Sequence, residues 1–88
     1  MTEHMKKAIS MVPGLDPEFH GEQVQGWYDD ALDFLRDAGV AEAYVTSDKS
    51  LGVVSQYIKD MFLGNGELSR YVYERGKQLA MKGEPSDA

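Results

Sequence analysis

The stretch Leu51 to Leu63, LGVVSQYIKDMFL, constrains this chain more than any other. Its apolar residues Leu51, Val54, Tyr57, Ile58, Met61 and Phe62 follow the i, i+3, i+4, i+7 spacing of one helix face, and Ser55, Gln56, Lys59 and Asp60 fill the opposite side. A helix this short is marginal alone in water, so its wide aromatic stripe has to be covered by other helices. The segments on either side are the available covers. The pattern therefore predicts a small bundle with residues 51–63 at its centre.

The upstream cover is explicit. Asp16-Pro17-Glu18 reads as a helix start, with an aspartate cap and proline in the first turn, and Gly39 is placed to end the helix. Gly21 leaves open whether the helix runs through or restarts near Glu22. Val24, Trp27, Tyr28, Ala31, Leu32, Phe34, Leu35 and Ala38 set the stripe; Asp29, Asp30, Asp33 and Asp37 lie largely off it, and Arg36 pairs weakly with Asp33. Trp27, the largest apolar group, is expected to anchor the core.

The downstream cover should start near Glu67 or Ser69 and run to about Met81, with Leu68, Tyr71, Val72, Leu79 and Ala80 as its stripe. Gly76 inside it costs about 1 kcal/mol relative to alanine, which close approach of another helix there would justify. Residues 3–11 form a short amphipathic helix with Met5, Ile9 and Val12 on one side, broken at Pro13-Gly14. Between the covers and the centre, Ala41-Glu42-Ala43 suits a helical turn and Tyr44-Val45-Thr46 an extended stretch. Thr46-Ser47-Asp48 supplies caps for the central helix, and Asn65-Gly66 ends it. The expected fold is all-α: one domain over residues 1–82, a bundle of three main helices plus a short N-terminal helix, with residues 83–88, GEPSDA, as a disordered tail.

Composition narrows the function. The chain has no cysteine, which removes disulfides, thiolate metal sites and cysteine nucleophiles and fits a reducing compartment. No apolar run approaches a membrane span, and the start MTEHMKKAIS lacks the apolar core of a signal peptide, so no membrane association is expected. A net charge of −6 argues against free-standing nucleic-acid binding, which needs a basic footprint. The charge is uneven: residues 1–48 carry ten acids and three bases, residues 49–88 five acids and six bases. Ordinary solvated faces account for that asymmetry, and so does head-to-tail association of copies.

The residues give no sign of bond-making chemistry, and no catalytic, metal or cofactor site is expected. His4 and His20 lack companions at ligand spacing and read as solvated. Asp29, Asp30, Asp33 and Asp37 lack the spacing and glycine of a calcium loop. No glycine-rich phosphate loop or nucleophile elbow occurs. Asp48-Lys49-Ser50-Leu51 is similar to the phosphopantetheine site of acyl carrier proteins, with Ser50 opening a helix before leucine, but Lys49 replaces the aspartate such sites carry. Met1, Met5, Met11, Met61 and Met81 read as core filler and chain ends. The residues that suit a protein contact are Tyr73 and Arg75, off the core stripe of the last helix, with Lys77 and Lys82 beyond them.

A set of residues in this order resembles a known family. The first long helix ends in Ala38-Gly39-Val40; the central helix carries Val54, Tyr57, Ile58 and Asp60; a polar turn holds Gly66; Leu68-Ser69 leads into a helix where Arg75 precedes Gln78-Leu79. Over residues 22–81 this looks like the small head–tail connector, or head-completion, proteins of long-tailed bacteriophages and prophages, where a β-branched residue is commoner than Gly76. The resemblance implies a helical virion protein, made in the bacterial cytoplasm, that forms a cyclic ring of about a dozen copies below the portal. Such a ring extends the channel through which DNA passes without specific binding and meets the next connector or tail component. Portal docking would use the C-terminal segment, Lys77 to Ala88. The alternative from another class is a small bacterial protein-binding adaptor or regulator.

Overall fold

The architecture comes from a computed structural model that describes residues 2–64 and 67–82. The expected caps at Asn65-Gly66 and the tail at 83–88 lie outside those residues. The chain is an all-α bundle of three main helices plus a short N-terminal one. α1 spans Glu3–Ser10, α2 Pro17–Asp37, α3 Glu42–Val45, α4 Leu51–Leu63 and α5 Arg70–Lys82, with a single 3-10 turn at Asp48–Ser50 leading into α4.

Local chemistry sets these limits. The Thr2 hydroxyl accepts from the Met5 amide at 3.1 Å and opens α1. Asp16 accepts from the Glu18 amide at 2.9 Å, with Pro17 in the first position of α2. The question raised by Gly21 is answered one residue earlier: His20, at φ −108° and ψ 17°, kinks α2, which continues beyond it. α2 ends in a Schellman turn. Gly39 adopts φ 93°, its amide donates to the Arg36 carbonyl at 3.0 Å, and the Val40 amide donates to the Leu35 carbonyl at 3.0 Å. A side chain at residue 39 would strain that left-handed backbone.

α4 packs against α1, α2 and α5, as a central helix must. No residue from Leu51 to Phe62 is fully exposed, so the stripe is wider than its spacing predicts. Val53 and Ser55 are buried beside Val54 and Ile58, against the expectation that Ser55 faces water; its hydroxyl is satisfied by donating to the Gly52 carbonyl at 3.0 Å. The largest fully buried side chains are Leu35, Ile58 and Leu79, one from each main helix. Trp27 is not the anchor. It is half-buried at the periphery, its ring 6.2 Å from that of Phe62. Tyr44 and Val45 form the helical turn α3 where an extended stretch was expected, and the turn places Val45 in the core.

α5 begins where Asp60 reaches across from α4. One carboxylate oxygen accepts from the Ser69 amide at 2.8 Å and the other from the Gln56 side chain at 2.8 Å. Val72 and Leu79 are buried as expected, but Tyr71 is 46% exposed. Its hydroxyl rests over Gly52, where a β-carbon would stand 2.6 Å away. Gly76 lies where α5 comes close to α2 side chains: a β-carbon there would come within 3.3 Å of Phe34 and 3.9 Å of Leu35. Gly76→Val is expected to destabilise the fold by about 1–3 kcal/mol through overpacking. Gly76→Ala should be near neutral, because about 1 kcal/mol of helix propensity offsets the shift demanded of the half-buried Phe34 ring. Urea melts of the two variants check this, and a neutral valine would disprove the close approach.

Candidate partner-binding surface

Two polar or amphipathic constellations stand out, one buried and one exposed. The buried one centres on His4, expected in water and found inside. Residues 4, 5, 8 and 9 share the inward face of α1, so burial of Met5, Ala8 and Ile9, with Val12 just beyond the helix, carries His4 in with them. Nδ1 lies 2.8 Å from the Tyr28 hydroxyl, and Nε2 lies 2.8 Å from Ser50 Oγ and 3.1 Å from the Ser47 carbonyl. One arrangement satisfies every group. The Tyr28 hydroxyl donates to Nδ1, Nε2–H donates toward the Ser47 carbonyl and Ser50 Oγ, and Ser50 donates to the Val45 carbonyl at 2.8 Å. Burial pushes the imidazole below the ordinary histidine range; the Ser47 carbonyl and the nearby charge of Asp48 oppose this, and Lys7 adds to it. The exposed Lys7–Asp48 pair, at 3.3 Å, spans the same junction from outside.

That geometry removes the acyl-carrier reading. A serine that accepts phosphopantetheine must face solvent, whereas Ser50 is fully buried with its hydroxyl engaged by His4 and Val45. His20 is half-buried rather than solvated, its ring edge-on to Phe62 at 5.1 Å and to Phe19 at 4.9 Å. Among the described residues, no three His, Asp or Glu side chains gather to hold a metal ion, and no helix is long and apolar enough to cross a membrane.

The exposed constellation lies where α5 crosses the C-terminal half of α2. Phe34 and Asp37 of α2, with its cap Ala38, face Tyr73 and Lys77 of α5 across a groove of about 400 Å³. Phe34 is the hinge of the arrangement: its ring meets Tyr73 edge-on at 5.7 Å and lies 5.9 Å from Tyr57. Burial, then the negative charge of Asp30 and the neighbouring Tyr73, hold the Tyr57 phenol above its ordinary range, so it stays neutral behind this wall. Tyr73 is 54% exposed and Met81 73% exposed, and with Lys77 they repeat every four residues along one side of α5.

Of the residues singled out in the sequence, the structure brings Tyr73 and Lys77 together and leaves Arg75 apart. Arg75 points off this side of α5 and donates to the Gln78 side chain at 3.0 Å. Lys82 closes α5, and its side chain lies outside the described residues. Sequence reasoning missed the α2 wall. Phe34 sits one residue off Leu35, and that doubling of apolar positions was the available sign of a side chain at the edge of the core. On the outer side of α2, Arg36 spends its charge on Glu42 at 3.0 Å and Asp33 at 3.3 Å, which raises the guanidinium further and lowers the Glu42 carboxyl.

The chain matches no family model, no curated protein and no solved structure. Its function has to be read from its own residues and their geometry.

Proposed function

We propose that this chain is a structural subunit of a phage head–tail connector: a virion protein that assembles as a ring below the portal and links the filled head to the tail. The observation that carries the reading is the α5 face, where Tyr73 and Met81 stand exposed around Lys77 beside an open, partly aromatic groove. Exposed aromatic and methionine side chains grouped with a cation are the composition of a protein contact, and a groove between helices is where a partner segment would lie. The order of residues from Ala38 to Leu79 that resembles the connector family supplies the identity of the partners: other copies of the chain, the portal, and the next connector or tail component.

The electrostatics agree with a channel component. Asp29, Asp30, Asp33 and Asp37 are all exposed along α2. Carboxylates facing a channel repel phosphate, so DNA would pass without sticking. The role needs no catalysis and no cofactor. Portal docking by the C-terminal end of α5 and the residues after it belongs to the same proposal.

Electron microscopy of the chain mixed with a portal ring tests it. The expected result is a second ring stacked on the portal, weakened when salt is raised to about 1 M, where the Debye length is about 3 Å. A portal that stays bare at saturating concentration would overturn the connector reading and leave a bacterial adaptor that uses the same α5 face.

A further inference from the structure

We propose that the α2–α5 groove receives the turn carrying Phe19, flanked by Glu18 and Glu22, from a second copy of this chain. The inference rests on the connector reading and names the contact by which neighbouring subunits would join.

Phe19 is the most exposed large apolar side chain among the described residues, at 83%. It stands at the start of α2, one residue before the His20 kink, and its ring leans on His20 without being covered. A phenylalanine held in water on the first turn of a helix forfeits the burial that stabilises such side chains elsewhere, and a partner would recover it. The groove offers what that ring needs. Phe34 and Tyr73 present aromatic walls, Ala38 leaves room between them, and about 400 Å³ lies open.

Phe19 cannot fill its own groove. Fifteen residues of helix separate it from Phe34, about 22 Å at the rise of an α-helix. The contact has to form between molecules, and knob and groove are different surfaces, so it is head to tail. A repeated head-to-tail contact closes into a ring when its rotation allows. Charge favours one orientation of the knob. Glu18 and Glu22 flank the knob and are exposed, while Lys77 stands on the α5 wall of the groove. Asp37 occupies the α2 wall, so the incoming carboxylates should lie toward α5, away from it.

The absence of cysteine from the chain makes the contact testable by engineered pairs. E22C and A38C leave Phe19, Phe34 and Tyr73 in place and keep Glu18 available to Lys77, and the cysteine at 38 adds one sulfur atom at the exposed edge of the groove. Mixed one to one under mild copper–phenanthroline oxidation at low salt, they should give a covalent E22C–A38C dimer, while each variant alone gives no covalent dimer. Adding F19D to the E22C chain should lower the yield at least about tenfold, as expected for removing one buried phenylalanine from a contact. Because Phe19 is exposed, F19D should leave the far-ultraviolet circular dichroism unchanged, which separates lost docking from lost folding. The measurement is made on the chain alone at high concentration and again after mixing with the portal ring. Dominant A38C–A38C product would indicate a two-fold dimer through the groove; that result, indifference to F19D, or no mixed product in either setting overturns the inference. A stacked ring without the E22C–A38C link refutes this contact and leaves the connector reading intact, whereas a bare portal refutes the connector reading itself.

Discussion

Ile58→Ala is expected to lower the stability of the fold by about 2–5 kcal/mol, the cost of a large-to-small change at a site that cannot collapse. Ile58 is fully buried in the middle of α4, and α4 is the helix against which α1, α2 and α5 all pack. A cavity there opens the core side of the helix on which the others pack. A chain of 88 residues has little to spare, since small single-core domains hold only about 5 kcal/mol or somewhat more. Each kcal/mol shifts the melting temperature of a domain this size by about 4–8 °C, so the variant should melt tens of degrees lower or fail to fold. Thermal melts followed by circular dichroism measure it. A loss below about 1 kcal/mol would mean that the bundle repacks freely and that α4 is not its centre.

His4→Gln should produce the other large effect, in two parts. Removing one member of a buried, fully satisfied polar set leaves Tyr28 and Ser50 with imperfect partners and costs about 1–3 kcal/mol at pH 7.5. The second part is a change in pH dependence. Burial holds the His4 imidazole below its ordinary value in the folded chain, so the unfolded chain binds a proton first as pH falls. Stability from the neutral imidazole is then complete above about pH 6.5, and it is lost as pH falls from there toward the lower folded-state value. The slope in that window is at most about 1.4 kcal/mol per pH unit for one group. Wild type should therefore weaken between pH 7 and pH 5 more steeply than His4→Gln, and His20, present in both, drops out of the comparison. Parallel urea melts across this range give the result; equal slopes would show that His4 does not titrate with folding. Amide exchange adds a location, because protonation of His4 should free α1 before the rest of the bundle opens.

Much of the framework is legible in a linear reading because it depends on neighbours in sequence. Asp16 and Pro17 start α2, Ala38-Gly39-Val40 stops it, and the spacing from Leu51 to Phe62 sets the central helix, all through interactions within a few residues. Gly76 was legible for a different reason: a glycine inside a helix has a cost that close packing explains, and Phe34 is the group that comes close. Tyr73 was readable as a surface aromatic off the Val72–Leu79 stripe, but the sequence coupled it to Arg75, and the structure puts Lys77 beside it instead.

Other features depend on partners far along the chain. Polarity alone sends His4 to solvent, and what buries it are groups on Tyr28, Ser47 and Ser50, brought to it only when α1, α2 and the turn before α4 assemble. Tyr71 and Tyr73 differ by two positions and both are about half-exposed; the space over Gly52 takes the Tyr71 hydroxyl, and the ring of Phe34 takes Tyr73. Trp27 lost the central place to the aliphatic side chains Leu35, Ile58 and Leu79, which are fully buried on the three main helices, and its ring sits at the edge beside Phe62. By itself the sequence determined that this protein is helical, where α1, α2 and α4 begin, where α2 ends, and most of the apolar face of each main helix, since caps and periodicity are short-range physics. Only the tertiary structure decided which polar groups are buried together and which aromatics remain for a partner, because both depend on distances between residues that the chain order leaves free.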